Sequence, residues 1–255
     1  MNGVRPSGIS KPRKAVVFDM DDTLYLEHEY VLSGFRHIAG LIAEDAQISP
    51  EDIFSFLSAS AMKREHRGHN LDLLFTEYPQ LRSAWNVSRL VDEYRSHNPC
   101  ISLFRGVQPM LSELRETGAR LAVITDGASQ SQHRKAEALQ LARYVDSVIV
   151  TDDHGIGYRK PHPYAYLKVS EDFECEPEAC VYIGDNPAKD FLAPRLLGWN
   201  TVRIRLPNQL HADAEPLAPE AAPKAECGGI MELHHLLITW LTESDFSPEA
   251  RSRIA

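Results

Sequence analysis

The sequence predicts an α/β protein: an open parallel-sheet core, interrupted once by a helical insertion. Two observations carry this. Over most of the chain, short and nearly all-apolar runs alternate with longer helical patterns, as successive βαβ units require. Between 26 and 103 the alternation stops and only helical patterns remain. The length agrees, since 255 residues exceed one domain of about 150 residues and fall short of two.

The strand candidates are Ala15–Phe18, 121–125, Ser147–Val150, 180–183 and 201–204. Each is short and nearly all apolar, the pattern of strands covered by helices on both faces. Helices are expected at 107–117 and 187–197, each stopped by a glycine just past its last turn, and at 129–141 and 162–171. Inside the insertion, Ser49-Pro50-Glu51-Asp52 reads as a helix start: a capping hydroxyl, proline at the first position, acids in the first turn. Residues 86–97 form a second amphipathic pattern, apolar at Val87, Leu90, Val91 and Tyr94. The Ala-, Pro- and Glu-rich stretch 207–229 reads as a surface loop, and 230–241 as a helix returning to the sheet. The expected division is a core of 14–25 and 104–242, a helical unit at 26–103, and flexible termini at 1–13 and 243–255.

Acidic residues outnumber basic ones, 36 to 27, for a net charge of -9. That excludes a non-specific nucleic-acid binder, whose affinity comes from basic side chains neutralising phosphates. The four cysteines, Cys100, Cys175, Cys180 and Cys227, form no CxxC pair and read as reduced thiols. The run Ala15–Phe18 ends at Asp19, far short of a signal core or membrane span, so a cytoplasmic protein without a membrane partner is expected. The oligomeric state is not written in the sequence.

Four motifs follow strands. Asp19-Met20-Asp21-Asp22-Thr23 follows the first, and ligands of open α/β sheets bind beyond the carboxyl ends of strands. Alone, this Asp-x-Asp is equally a solvated turn in which Asp22 or Thr23 caps the next helix. Thr125-Asp126-Gly127 offers a hydroxyl and free N–H groups at a helix start, a seat for phosphate or an ordinary cap. Arg159-Lys160-Pro161 is a basic pair at a helix entry, by itself an ordinary surface loop. Gly184-Asp185-Asn186-Pro187-Ala188-Lys189-Asp190 brings two more acids to a strand end. Asp19, Asp21, Asp185 and Asp190 thus converge as hard oxygen donors without His or Cys partners, a set that suits Mg²⁺ better than zinc or copper.

In this order, each just after a strand, the four motifs together resemble the haloacid dehalogenase superfamily. The matching residues are DMDDT at 19–23, Thr125, Lys160-Pro161 and GDNPAKD at 184–190, supported by KPHPYAY at 160–166 and DFLAPRLLGW at 190–199. The insertion is similar to the helical cap that this family carries between its first and second motifs. The resemblance implies a Rossmann-like core and an Mg²⁺-dependent phosphatase acting through an aspartyl-phosphate. It makes Asp19 the nucleophile and Asp21 the general acid and base. Thr125, the Asp126 backbone N–H and Lys160 bind the phosphoryl group. The metal ligands are the Asp19 side chain, the Asp21 backbone carbonyl and the Asp185 side chain, with Asp190 a ligand or, by preference, a partner through water.

A carboxylate two residues after the nucleophile favours phosphate esters over carbon–halogen bonds, because only the former release an alkoxide to protonate. Asp126 is a departure, since asparagine often holds that place in related phosphatases. The expected substrate is a small phosphorylated metabolite, with sugar phosphates favoured. Nucleotide monophosphates and phosphoglycolate remain alternatives, as does a phosphomutase of the β-phosphoglucomutase type. A non-catalytic binding protein on the same scaffold is weakened by competent residue types at every expected position. His66, His69, His234 and His235 lack the partners of a closed metal site and read as surface residues. Glu27, His28, Arg64 and Arg67 are the residues through which the insertion could touch substrate, though each reads better as a solvated face residue. No Walker A sequence is present, and Gly155-Ile156-Gly157 lacks the third glycine of a dinucleotide fingerprint.

Overall fold

A computed structural model describes residues 13–62 and 69–243. In β1 (Ala15–Phe18) all four residues are fully buried. Alternate side chains of a strand point to opposite faces, and here they enter two different apolar clusters. Val16 and Phe18 join the first cluster, Ala15 and Val17 the second. A strand wetted on neither face needs strands on both edges as well, and β1 has them: β2 (Arg120–Thr125) on one side and β4 (Cys180–Gly184) on the other, both parallel.

The full sheet has six strands in the order β3-β2-β1-β4-β5-β6, with β3 (Ser147–Val150), β5 (Asn200–Ile204) and β6 (Ala225–Cys227) completing it. Every pairing is parallel. The order runs outward from β1 in both directions, so the polarity of the crossovers reverses beside it. That is where an open α/β sheet leaves a crevice at its carboxyl edge.

Helices cover both faces. In chain order they are α1 (Glu27–Ala46), α2 (Pro50–Ala61), α3 (Asn70–Glu77), α4 (Val87–Ser96), α5 (Val107–Glu116), α6 (Ser129–Ala138), α7 (Tyr164–Phe173), α8 (Leu192–Leu196) and α9 (Ile230–Glu243). Val107, Met110, Leu111 and Leu114 of α5 and Ile230, Leu233, Leu237 and Trp240 of α9 pack with Val16 and Phe18. Ala165, Tyr166, Val169 and Phe173 of α7 pack on the opposite face with Tyr182 and Trp199. The four helices α1 to α4 lie between β1 and β2 in the chain and gather around a third apolar cluster of Phe35, Ile38, Ile42, Ile53, Leu57, Leu74 and Leu90 among others. Ser49 caps α2 as its sequence predicts, accepting from the Asp52 N–H at 3.1 Å. Asn86 caps α4 in the same way. Among the described residues no helix is long and apolar enough to cross a membrane.

Three expectations need correction. The stretch 187–197 is not one helix: turns occupy its first half and α8 covers Leu192–Leu196 only. The reason is local, since Asp190 turns its carboxylate back to accept from the Asn186 N–H at 2.9 Å, which closes a loop instead of a helical turn. The tail at 207–229 is not all loop, because Ala225–Cys227 adds the edge strand β6; three residues are too few to show an alternating pattern. The helix expected at 129–141 stops at Ala138, and a short 3₁₀ turn, Leu141–Arg143, follows. The termini expected to be flexible lie outside the described residues, apart from Arg13, which pairs with Glu174 at 2.7 Å, and Glu243 at the end of α9.

The second face is organised by an aromatic stack. Trp199 is fully buried and meets Tyr166 edge-to-face at 5.6 Å, and Tyr166 meets Tyr182 likewise at 5.0 Å. Removing the large indole leaves a void that close-packed neighbours fill only in part. Trp199→Ala is therefore expected to cost about 3–5 kcal/mol of unfolding free energy, measured by urea denaturation followed by circular dichroism.

Candidate active site

The pairing of β1 with β4 runs one residue past the strand: the Asp19 N–H donates to the Ile183 carbonyl at 2.7 Å. That bond fixes Asp19 at the carboxyl edge of the sheet with only 1% of its surface exposed. Asp185, one residue beyond β4, comes to the same edge, and the turn after it returns Asp190. Carboxylate oxygens of Asp19, Asp185 and Asp190 all lie within 4.8 Å of one another. Such crowding of buried acids is unfavourable unless positive charge enters among them.

Lys160 is the first such charge. Its side chain is completely buried, and Nζ lies 2.6 Å from Asp19 Oδ1, 2.8 Å from Asp190 Oδ1 and 2.9 Å from the Tyr182 hydroxyl. Burial works against the ammonium, but Asp19 and Asp190 outweigh it and raise its pKa well above the usual lysine value. Asp190 is saturated, with Lys160 on Oδ1 and the Asn186 N–H on Oδ2. Burial pushes its pKa up, yet Lys160 and Lys189 more than offset this and hold it below the usual carboxylate range.

Lys160 leaves part of the cluster unsatisfied. Asp19 Oδ2 and Asp185 Oδ2 are buried without a hydrogen-bond partner. Burial pushes Asp19 up to about 6 against the pull of Lys160. Burial, with Asp190 and Asp19 close by, pushes Asp185 to about 9. Two orphaned carboxylate oxygens, facing a third acid already satisfied, are donors of the type that a hard divalent cation takes.

Asp21 stands apart from these three. Its Oδ1 accepts from the Tyr25 hydroxyl and from Lys135 Nζ at 2.8 Å, and its Oδ2 accepts from Gln132 Nε2 at 2.8 Å. Burial raises its pKa, but Lys135 together with the Tyr25 and Gln132 hydrogen bonds reverses the sign and leaves it lowered. Thr125, at the end of β2 and fully buried, accepts from the same Gln132 amide, so one side chain spans Thr125 and Asp21.

Asp126 ends up with its carboxylate in the loop. Oδ1 accepts from the Thr151 hydroxyl at 2.7 Å and from the Lys160 backbone N–H at 3.1 Å, and Oδ2 lies 3.9 Å from Lys189 Nζ. This carboxylate is thus tied down by three partners and organises the Lys160 loop. Asp22 accepts from the Glu27 N–H at the start of α1 at 2.8 Å and from the Leu210 N–H at 2.7 Å. Asp22 thus holds the first N–H of α1, as the capping reading expects.

A model of the haloacid dehalogenase-like hydrolase family matches residues 13–198. The chain belongs to that family. It is 28% identical over 230 residues to a glyceraldehyde 3-phosphate phosphatase from Methanopyrus kandleri, an alignment covering 86% of this chain and 95% of the relative. It is 26% identical over 176 residues to the pyrophosphatase PpaX of Bacillus cereus, covering 67% and 74%. Its fold matches a HAD-superfamily hydrolase from Geobacter sulfurreducens with a TM-score of 0.60 at 21% identity, over 90% of this chain and 99% of that one.

In this hydrolase Asp19, Asp185 and Asp190 gather around or beside Lys160, Asp126 holds the Lys160 backbone, and Asp21 is linked to Thr125 through Gln132. Tyr25, Gln132, Lys135 and Lys189 were not singled out, and each touches one of them. The helix α6 did carry a signal: SQSQHRKAEA has no apolar stripe, yet it buries Ser131, Gln132 and Lys135. A helix whose inner face is polar must pack against polar groups. Glu27 lies near Asp21 and Lys135, half-buried at the start of α1, and burial with the Asp21 charge raises its pKa to about 7. His28 is exposed. Among the described residues Asp19, Asp185 and Asp190 form the only metal-type cluster, and His69, His234 and His235 lie outside it. Arg64, His66 and Arg67 lie outside the described residues.

Two outcomes follow. In protein stripped of divalent cations, Asp185→Asn is expected to raise the unfolding free energy by about 1–3 kcal/mol, because asparagine needs neither a buried charge nor an extra proton. Millimolar Mg²⁺ is expected to raise the Tm of the unaltered protein and not that of Asp185→Asn; both are read by thermal denaturation with and without EDTA. Gly184 permits the close return of Asp190, since a Cβ there would lie 2.5 Å from Asp190 Oδ2 and 2.9 Å from its Cβ. Gly184→Ala should displace Asp190 and cost roughly 1–3 kcal/mol in the same assay.

Proposed function

We propose that this hydrolase removes phosphate from a small phosphorylated metabolite through a phosphorylated Asp19, with Mg²⁺ as its cofactor. The observation that carries the reading is the pair of buried, partnerless oxygens on Asp19 and Asp185 beside the Lys160 ammonium. One carboxylate is thereby both a potential nucleophile and a potential ligand, at the point where a phosphoryl group can approach.

The residues that would hold Mg²⁺ are Asp19 and Asp185 through their side chains and Asp21 through its backbone carbonyl, with Asp190 behind them as the anchor of Lys160. When bound, the ion screens the repulsion between a carboxylate and a phosphate dianion. Asp19 attacks phosphorus in line and the ester oxygen leaves. Lys160 neutralises charge on Asp19 and on the phosphoryl oxygens. The Thr125 hydroxyl and the Asp126 N–H hold those oxygens, as backbone donors at a strand–helix junction do elsewhere.

Asp21 protonates the leaving alkoxide and then takes a proton from the water that splits the aspartyl-phosphate. Its lowered pKa fits the second duty directly, since an ionised carboxylate is ready to act as base. For the first duty the proton arrives with the substrate, whose phosphate is partly monoanionic near neutral pH. The names of the relatives favour a three-carbon sugar phosphate within the class of small phosphate esters and anhydrides.

The test is phosphate release from a panel of sugar phosphates, pyrophosphate and 4-nitrophenyl phosphate, with Mg²⁺ or EDTA. Turnover is expected with Mg²⁺ alone, and Asp19→Asn should lose it by about 10³-fold or more. Retained turnover in Asp19→Asn would refute the nucleophile. Isomerised sugar phosphate without free phosphate would show a mutase instead.

A further inference from the structure

Lysine 135 sits where packing alone does not want it. Its side chain is only 5% exposed, on the inner face of α6, and taking an ammonium out of water costs several kcal/mol unless partners replace the lost hydration. An apolar residue at this position would pack more cheaply. The partners are specific. Nζ lies 2.8 Å from Asp21 Oδ1 and 4.2 Å from the centroid of the Tyr30 ring of α1. One turn earlier on the same face, Gln132 spans the other Asp21 oxygen and the Thr125 hydroxyl. Two residues three apart on one helix therefore grip both oxygens of one carboxylate from the same side.

We infer that Lys135 and Gln132 are positioning residues that hold the Asp21 carboxylate in the orientation for proton transfer and in register with Thr125. The inference rests on the proposed phosphatase reaction and adds to it two residues outside the four motifs. Asp21 belongs to a turn after a strand, and a short side chain on a turn has rotational freedom that proton transfer does not tolerate. Tyr25 fixes it from within its own turn. Lys135 and Gln132 fix it from α6, the helix that starts beside the Thr125-Asp126 phosphate seat, so acid and seat share one rigid support. Lys135 also faces Tyr30, which joins this support to the first helix of the insertion. Neither residue reaches the reacting phosphorus in this scheme; both act through Asp21.

A positioning role for the acid has a signature that a general packing role lacks. A good leaving group departs without a proton, whereas a poor one needs it. The measurement is kcat/KM, which reports steps up to transfer of the phosphoryl group to Asp19, for phenyl phosphate and for 2,4-dinitrophenyl phosphate in the presence of Mg²⁺. For Lys135→Met the value with phenyl phosphate is expected to fall on the order of 100-fold, and with 2,4-dinitrophenyl phosphate less than about fivefold. Gln132→Met, which leaves the ion pair in place, should show the same selectivity with a smaller loss and serves if Lys135→Met does not fold by circular dichroism. Equal losses on both substrates in a folded variant, or no loss on either, would overturn the inference while leaving the phosphatase reading intact. If the unaltered protein releases phosphate from neither substrate, that reading fails and the inference falls with it.

Discussion

The buried ammonium of Lys160 is the contact on which the rest of the site depends. It joins the strand-end acid Asp19 to the loop acid Asp190 and to the Tyr182 hydroxyl of β4, with no solvent on its side chain. Without it three acids would crowd together with only Lys189 to offset their repulsion. With it, two of them are paired and two oxygens, one on Asp19 and one on Asp185, are still unmet. The protein therefore folds around a deliberate shortfall of one positive centre. Two buried carboxylate oxygens left without partners are donors of the type that a hard divalent cation takes.

The second apolar face gives Lys160 its rigidity. The Tyr182 ring joins the aromatic stack with Tyr166 and Trp199, and its hydroxyl oxygen accepts from the Lys160 ammonium. The Tyr166 hydroxyl donates to the Asp190 carbonyl at 3.2 Å. Core packing and charge placement are thus continuous, and side chains locked by close packing present the charged atoms with little freedom left to lose. Asp126 extends the same support outward by holding the Lys160 backbone, and its own carboxylate is met there by Thr151 and Lys189.

Asp21 lives in a separate environment two residues away. Its partners come from α6 and from its own turn, and its pKa is lowered while that of Asp19 is raised to about 6. The two carboxylates shift in opposite directions because burial outweighs Lys160 at Asp19, while Lys135 with the Tyr25 and Gln132 hydrogen bonds outweighs burial at Asp21. The chain segment after β5 contributes as well. Gln209 donates to the Asp22 carbonyl at 2.6 Å, and the fully buried Arg203 donates to the Asp185 carbonyl at 3.0 Å. Both clamp the turns that carry the acids.

The apolar strand runs and the acids that directly follow them were legible in the sequence because a strand covered on both faces must be apolar and its end must point to the crevice. Ala15–Phe18 then Asp19, and 180–183 then Asp185, needed only local pattern. Ser49 and Asn86 were equally legible, as caps act within one turn. Three things were not. Asp190 lay in a predicted helix, and only its hydrogen bond to the Asn186 N–H shows the loop that carries it back to Lys160. The edge strand Ala225–Cys227 is too short to pattern and exists because β5 offers it an unpaired edge. Lys135 and Gln132 stand on a helix without an apolar stripe, and nothing local names what they meet; they are buried because tertiary packing sets α6 against Asp21, more than a hundred residues earlier in the chain. Local sequence determined which residue types stand at the strand ends. Long-range packing alone decided which charge each one meets, because the energy of a buried charge depends on neighbours that the chain brings from far away.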